Sequence, residues 1–245
     1  YAHLLTRVDE GMGLLGESNI DAEIVALLWM QGENDASQYT ADYATLWANF
    51  VGDLTADWES KGYVTENGLS TIDGGISEYW ANYEILNAVK ELWAAEHSKG
   101  YYVDVIGAGL TRKPSDLAHL DSPSMLRLGR LFGEKLSLAI ADLGNAATVT
   151  PVTLRGTGTA ADPYLVGSYA EWLRLAHTAF IDADALTGKY IRLTSDIGSA
   201  DVPVRASLGV TSVRPFAGTI DGDGHTIYVN LRNRQYKTEG RAMGL

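Results

Sequence analysis

Two short polar stretches of the chain contain the residue types from which hydrolytic sites are built, and the first is Trp29-Met-Gln-Gly-Glu-Asn-Asp35. It follows an apolar run, Ile24 to Trp29, so amide and carboxyl side chains begin where a buried strand would end. An amide such as Gln31 could donate a hydrogen bond to a developing oxyanion, and Gly32 would let the backbone approach a ligand. The same stretch would also suit the start of a helix, because Asn, Asp and Ser are common N-caps. On its own it leaves these two interpretations equally open.

The second stretch is Asp116-Leu-Ala-His119, which has a carboxylate three residues before an imidazole. In a helical or tight-turn segment, residues three apart face the same side. Asp116 could then hold one nitrogen of His119 while the other nitrogen deprotonates a nucleophile, which is the acid and base half of a serine-type triad. The alternative is a solvated turn that contains an unrelated Asp and His, and this spacing alone does not decide between the two.

Strands and helices alternate through the first 145 residues and would position both stretches. Continuous apolar runs predict buried strands over 24–29 and 101–106, and three- to four-residue apolar spacing predicts helices over 37–58 and 78–97. A further helix is predicted to about residue 143, with Ser122 as its N-cap and Pro123 in its first turn. This alternation predicts a parallel sheet covered by helices, in which ligands bind at the carboxyl ends of the strands.

The pattern changes after Asn145. We predict a linker over residues 146–155 and a second region over residues 156–245, which has Gly- and Asp-rich turns and few helical signals. Within it, a short helix is predicted through 171–177 and strands over 190–194 and 225–231. No complete internal repeat fits into this region.

Composition narrows the possible functions. The formal net charge of -12 disfavours nucleic acid and anionic lipid as partners, and no apolar segment approaches the roughly 20 residues of a membrane span. The chain has no cysteine, so thiolate nucleophiles, disulfides and cysteine-ligated zinc are excluded. The five histidines do not form a zinc-ligand spacing, and Asp221-Gly-Asp-Gly224 fits a turn better than a calcium loop. We therefore expect neither a metal nor a cofactor.

Taken together, the two polar stretches resemble conserved blocks of a known family. Trp29–Asp35 resembles block III of the SGNH hydrolases, in the form used by the sialate O-acetylesterase and carbohydrate esterase family 6 branch. Asp116–His119, followed by Leu-Asp-Ser and Leu128-Gly129, resembles their block V. The resemblance covers roughly the first 140 residues. It implies an α/β fold: an incomplete flavodoxin-like (SGNH) parallel sheet with flanking helices, in a partial hydrolase domain over residues 1–145.

The resemblance also implies roles for individual residues. His119 would be the general base, Asp116 its orienting acid, and Gln31 the side-chain donor of the oxyanion hole. Asn34 is a less favoured donor. Gly32 and Glu33 complete the stretch that the resemblance implies for binding the oxyanion and the substrate. Glu33 is also expected to anchor the loop together with Asp35.

The family's nucleophile belongs to a Gly-Asp-Ser motif well upstream of block III, and this chain begins too late to contain it. Gly16-Glu-Ser18 imitates that motif but lies only 11 residues before Trp29, too close for a separate strand and crossover helix. We expect Ser18 to be a helix-end or loop serine and the nucleophile to lie outside this chain. The chain is then interpreted as an internal fragment with little activity of its own.

A second resemblance concerns the C-terminal region. The stretches 158–165, 190–197 and 216–227 look like the first rungs of a right-handed β-solenoid, and the last is similar to the GLUG-type repeats of bacterial surface proteins. This implies an extracellular or cell-surface location, with possible surface attachment through the solenoid.

The sequence therefore predicts a carbohydrate O-acetylesterase that acts on acetylated glycans through a serine acyl-enzyme. The alternative is a non-catalytic glycan-binding or adhesive surface protein. A third interpretation is a flavodoxin-like domain in which the two polar stretches are unrelated structural features.

Overall fold

A computed structural model describes residues 1–38, 42–65, 67–182, 184–209 and 215–230 of the 245-residue chain. Its first part, residues 1–145, contains a parallel sheet of three strands in the order β1 (Ala26–Trp29), β2 (Ser70–Gly74) and β3 (Gly100–Val103). Leu28 of the first strand pairs with Ile72, and Ile72 pairs with Tyr101 of the third strand.

The central strand β2 is absent from the sequence prediction, whereas β1 and β3 were predicted with wider bounds. All five residues of β2 are buried, yet its sequence Ser-Thr-Ile-Asp-Gly is mostly polar. Two of its polar side chains have partners in the core. Thr71 Oγ1 accepts a hydrogen bond from Trp93 Nε1 at 2.9 Å, and Asp73 contacts Lys90. A pattern of apolar residues cannot reveal a strand whose buried polar groups are paired in this way.

Five helices are found among the described residues of the first part. The predicted helix over 37–58 is two helices, and residues 39–41 between them lie outside the described residues. The predicted helix over 78–97 begins only at Tyr83, because Asn82 has a left-handed backbone with φ of 54°. The bounds are α1 (Ala2–Glu17), α2 (Glu33–Gln38), α3 (Tyr43–Ser60), α4 (Tyr83–Glu96) and α5 (Ser122–Ala141).

The N-cap of α5 is Asp121 rather than the predicted Ser122. The Asp121 carboxylate accepts a hydrogen bond from the backbone N–H of Ser124 at 2.9 Å, so Ser122 is the first helical residue. A carboxylate at this position satisfies a free N–H of the first turn.

The helices cover both faces of the sheet, as the predicted α/β class requires. Leu27 of β1 packs with α3 and α4, whereas Ile72 and Val103 pack with Leu128 and Phe132 of α5. An antiparallel hairpin connects β3 to α5. Its strands are β4 (Arg112–Lys113) and β5 (Asp116–Leu120).

Among the described residues of the second part (156–245) are three short parallel strands and one helix: β6 (Tyr164–Val166), α6 (Tyr169–Ile181), β7 (Tyr190–Leu193) and β8 (Thr219–Asp221). The predicted strand over 225–231 is wrong for residues 225–230, which form only isolated parallel bridges at Ile227 and Val229, and Leu231 lies outside the described residues. The described residues show no closed solenoid, so the GLUG-type solenoid stays a prediction.

The predicted linker is held against the first part by backbone hydrogen bonds. Ser98 N donates to Thr148 O at 2.9 Å, and Thr150 N donates to Glu96 O at 2.7 Å. Ala88 and Leu92 of α4 also share a hydrophobic core with the second part. The predicted boundaries at residues 145 and 156 stay predictions, since packing alone does not define separate folding units. No helix in the described ranges is both long and apolar enough to cross a membrane.

Candidate functional site

The β4–β5 hairpin carries both residues of the predicted acid–base pair. Lys113 pairs with Asp116, and the adjacent Arg112 pairs with Leu120. One step along β4 therefore corresponds to four steps along β5, so residues 117–119 form a bulge. Bulges of this kind redirect side chains that would otherwise alternate across the strand.

The bulge brings His119 back onto Asp116. The Nδ1 atom of His119 lies 2.6 Å from Asp116 Oδ2, and Asp116 Oδ1 accepts a hydrogen bond from the backbone N–H of Ala118 at 3.2 Å. The segment is therefore a bulged strand and not the helical or tight-turn segment considered from the sequence. The predicted proximity of the two side chains is nevertheless observed, since the bulge replaces the turn.

The electrostatics of the pair favour an ionised carboxylate. The hydrogen bond from His119 is the main cause that lowers the pKa of Asp116 below its ordinary value. With Nδ1 engaged by Asp116, Nε2 is the nitrogen left for proton transfer. The His119 side chain is 70% exposed, so a reactant can reach it from solvent.

The first polar stretch, Trp29–Asp35, forms a turn that continues into the helix α2. Gln31 Nε2 donates to Asp35 Oδ2 at 2.9 Å, and Glu33 and Asp35 lie in the first turn of α2. Both interpretations of this stretch are therefore compatible with the fold, because the same residues form a polar turn and begin a helix. Asn34 is exposed, and its Oδ1 accepts a hydrogen bond from Gln38 Nε2 at 3.0 Å.

The turn and the hairpin both belong to the carboxyl edge of the sheet. Gln31 follows β1, and the parallel strands place the end of β1 beside the end of β2. The hairpin is tied to the loop after β2 by an ion pair of 3.4 Å between Arg112 and Glu78. Within the described ranges, no hydrogen bond or ion pair joins the 31–35 turn to the Asp116–His119 pair. The structure therefore shows two polar groups at one edge, each with its own internal contact.

Comparison with known proteins identifies the first part. Residues 1–137, more than half of the chain, match the family described as "Carbohydrate esterase, sialic acid-specific acetylesterase". The chain belongs to this family. A stretch of 109 residues, 40% of the chain, is 37% identical to halomucin of Haloquadratum walsbyi, and the chain spans about 1% of that protein's length. No solved structure matches the chain.

This acetylesterase-family chain contains a buried ion pair beside the turn that sequence reasoning missed. Lys90 Nζ lies 2.5 Å from Asp73 Oδ1, and the two side chains are 0% and 2% exposed. Burial raises the pKa of Asp73 to about 6, and Lys90 offsets part of that rise. One signal was available: Lys90 lies four residues after Leu86 and three before Trp93, on the apolar face of the predicted helix.

The backbone of Gly32 shapes the turn that follows β1. Its φ is +134°, and a Cβ atom there would lie 2.3 Å from Leu86 Cδ2. A side chain at this position would therefore be strained and would also collide with α4. The described residues contain no group of three or more His, Asp or Glu side chains that could hold a metal ion.

Replacing Gly32 with alanine is expected to lower the free energy of unfolding by about 1–3 kcal/mol, through both the backbone strain and the collision with Leu86. Urea unfolding measures the change. Gly52 provides a matched control: it lies within α3, has nothing within 4 Å of its Cβ position, and should become slightly more stable as alanine. A Gly32→Ala variant as stable as the native protein would contradict the steric account of this turn.

Proposed function

We propose that the chain carries the acid–base half of a serine esterase that removes O-acetyl groups from acetylated glycans. The observation that carries the proposal is the 2.6 Å contact between His119 Nδ1 and Asp116 Oδ2 in a chain whose first 137 residues match a carbohydrate esterase family. An oriented, solvent-accessible imidazole with an ionised partner is the arrangement that activates a serine hydroxyl.

In the proposed reaction, a serine hydroxyl attacks the acetyl carbonyl while His119 Nε2 accepts its proton. The bond between the acetyl carbon and the sugar oxygen then breaks, and the sugar oxygen takes that proton from His119. Water attacks the resulting acetyl-serine, again losing a proton to His119. The bond to the serine breaks, the serine regains its proton, and acetate leaves.

Asp116 and Gln31 support this reaction in different ways. Asp116 accepts the Nδ1 hydrogen of His119 and stabilises the imidazolium that forms at each step. Gln31 has two amide hydrogens, one of which is directed to Asp35 at 2.9 Å. The other remains to donate to the tetrahedral oxyanion, an interaction typically worth about 3 kcal/mol of barrier. Asn34 is the alternative donor, and its exposure on α2 makes it the weaker candidate.

The nucleophile is proposed to come from a segment outside residues 1–245. Ser18 is the C-cap of α1, and its hydroxyl donates to Leu14 O at 2.9 Å. This agrees with the expectation of a helix-end serine. A nucleophile would instead need to present its hydroxyl to His119.

A serine-directed label tests the mechanism. The complete reading frame is expected to release acetate from p-nitrophenyl acetate and from O-acetylated sialic acid, and a fluorophosphonate should abolish both activities. Mass spectrometry should then find the label on one serine. Acetate release that persists after full exposure to the fluorophosphonate would contradict the serine mechanism. Activity on p-nitrophenyl acetate without any on acetylated sugars would contradict the glycan substrate.

The proposal extends to the location and display of the protein. We propose an extracellular or surface location, attachment through the C-terminal region and an acetylated carbohydrate as the partner. They are supported by the resemblance of residues 156–245 to stacked β-rungs and by the three parallel strands found there. Protease treatment of intact cells tests the location, because a protein inside the cell would be protected.

A further inference from the structure

Lys90 lies beneath the carboxyl ends of two neighbouring strands. Its Nζ contacts three acceptors: Asp73 Oδ1 at 2.5 Å, Gln31 O at 2.7 Å and Gly74 O at 2.9 Å. Gln31 follows β1, whereas Asp73 and Gly74 are the last residues of β2. A single buried cation on α4 therefore joins the ends of both strands.

We infer that Lys90 is a positioning residue that aims the side chain of Gln31, an inference that rests on the proposed esterase function. Gln31 is held at two points: its carbonyl oxygen accepts from Lys90, and its Nε2 donates to Asp35. The next residue, Gly32, packs directly against Leu86 of the same helix α4. The direction of the free amide hydrogen of Gln31 is thus set by α4 through Lys90.

The hydrogen-bonding capacity of Lys90 separates positioning from catalysis. An ammonium group can donate three hydrogen bonds and cannot accept any. The three acceptors named above use all of them, and the side chain is 0% exposed. Lys90 therefore has no donor left for a substrate and influences the reaction only through the groups it holds.

A second buried lysine offers a matched control. Lys99 is 5% exposed, and its Nζ donates to Asp142 O at 2.7 Å. It directly precedes β3, so it lies at the amino edge of the sheet, opposite the candidate site. Substituting Lys99 measures the effect of losing a buried lysine without touching the ends of β1 and β2.

The decisive experiment is a double-mutant cycle in the complete protein, with kcat and KM measured for acetate release. Lys90→Met is expected to lower kcat by about 10²-fold with KM changed by less than about threefold, because a displaced oxyanion donor weakens only the transition state. Gln31→Ala should have a similar effect. Adding Lys90→Met to Gln31→Ala should then cost little more, since the two residues act as one unit. Lys99→Met should leave kcat within about threefold of the native value.

A double variant that removes both charges of the buried pair, called the paired variant, controls for loss of folding. Lys90→Met leaves Asp73 buried without its cation, so Asp73→Asn/Lys90→Met removes both charges and should reproduce the fall in kcat in a folded protein. Multiplicative effects of Lys90 and Gln31, or native kcat in the paired variant, would overturn the inference.

A spectroscopic readout separates failure of this inference from failure of the proposed function. If the native protein releases no acetate, the esterase proposal fails, and NMR then tests the positioning alone. The paired variant should shift the resonances of the Gln31 side-chain amide and the Gly32 backbone amide, whereas Lys99→Met should not. Unchanged resonances in the paired variant would overturn the positioning role whether or not the protein is an esterase.

Discussion

Replacing His119 with alanine is expected to reduce kcat for acetate release by about 10⁶-fold, the order of loss seen when the base of a serine triad is removed. His119 would accept the serine proton in the first step and the water proton in the second, so alanine removes the base from both. The side chain is 70% exposed and bonds to Asp116, so the fold should persist. The complete protein and its variant are compared by acetate release and by thermal unfolding.

A matched control for this substitution lies in the second part of the chain. His225 Nδ1 lies 3.6 Å from Asp196 Oδ1, so it forms a second partly exposed pair of histidine and aspartate. His225→Ala should leave kcat unchanged, because the pair follows β7 and β8 of the second sheet rather than the strands of the β1-β2-β3 sheet that carry the candidate site. Asp116→Asn should lower kcat by a smaller factor, about 10⁴-fold, since the amide favours the wrong imidazole tautomer. A His119→Ala variant that keeps more than a tenth of native activity would rule out His119 as the base.

Replacing Lys90 with methionine is expected to lower the free energy of unfolding by about 3–5 kcal/mol at about pH 8, because it leaves a buried carboxylate without its partner. The loss should be smaller at about pH 5. Asp73 already has its pKa raised to about 6 by burial, and removal of the cation raises it further. Urea unfolding at both pH values measures the difference between the native protein and the variant.

The direction of this pH dependence of stability follows from the direction of the pKa shift of Asp73. A carboxyl group whose pKa is higher in the folded state binds its proton more tightly there, so stability falls as pH rises from the unfolded pKa through the folded one. In Lys90→Met this fall extends above pH 6, where the native protein has already completed it. The penalty therefore grows with pH. Asp73→Asn/Lys90→Met should recover much of the lost stability, and a penalty equal at both pH values would refute this account of the pair.

Much of the architecture could be predicted because its signals are local. The apolar runs of β1 and β3 and the spacing of α3, α4 and α5 are visible in the sequence and predict the α/β class. The strand β2 could not be found, since Thr71 and Asp73 are polar and become acceptable in the core only through Trp93 and Lys90. That pairing is long-range and is not encoded in any window of neighbouring residues.

In the candidate site, too, the local contacts could be predicted from the sequence and the long-range contacts could not. Asp116 and His119 were found because their contact spans only three residues. Lys90 lies 59 positions from Gln31 and was missed, although its place on an apolar helix face was a usable sign. The bulge of residues 117–119 was not predicted, since it arises from how β5 pairs with β4 rather than from the residue types within it.

The local character of the hairpin has a consequence for how the site is built. The acid and base lie on one short hairpin, so their mutual geometry forms with low contact order, as soon as that hairpin closes. The orientation of the imidazole relative to the sheet depends instead on the ion pair that holds the hairpin, between Arg112 and Glu78. The contact between Asp116 and His119 can therefore form independently of the docking of the hairpin onto the sheet. The contact depends on a few adjacent residues, whereas the docking depends on the tertiary fold.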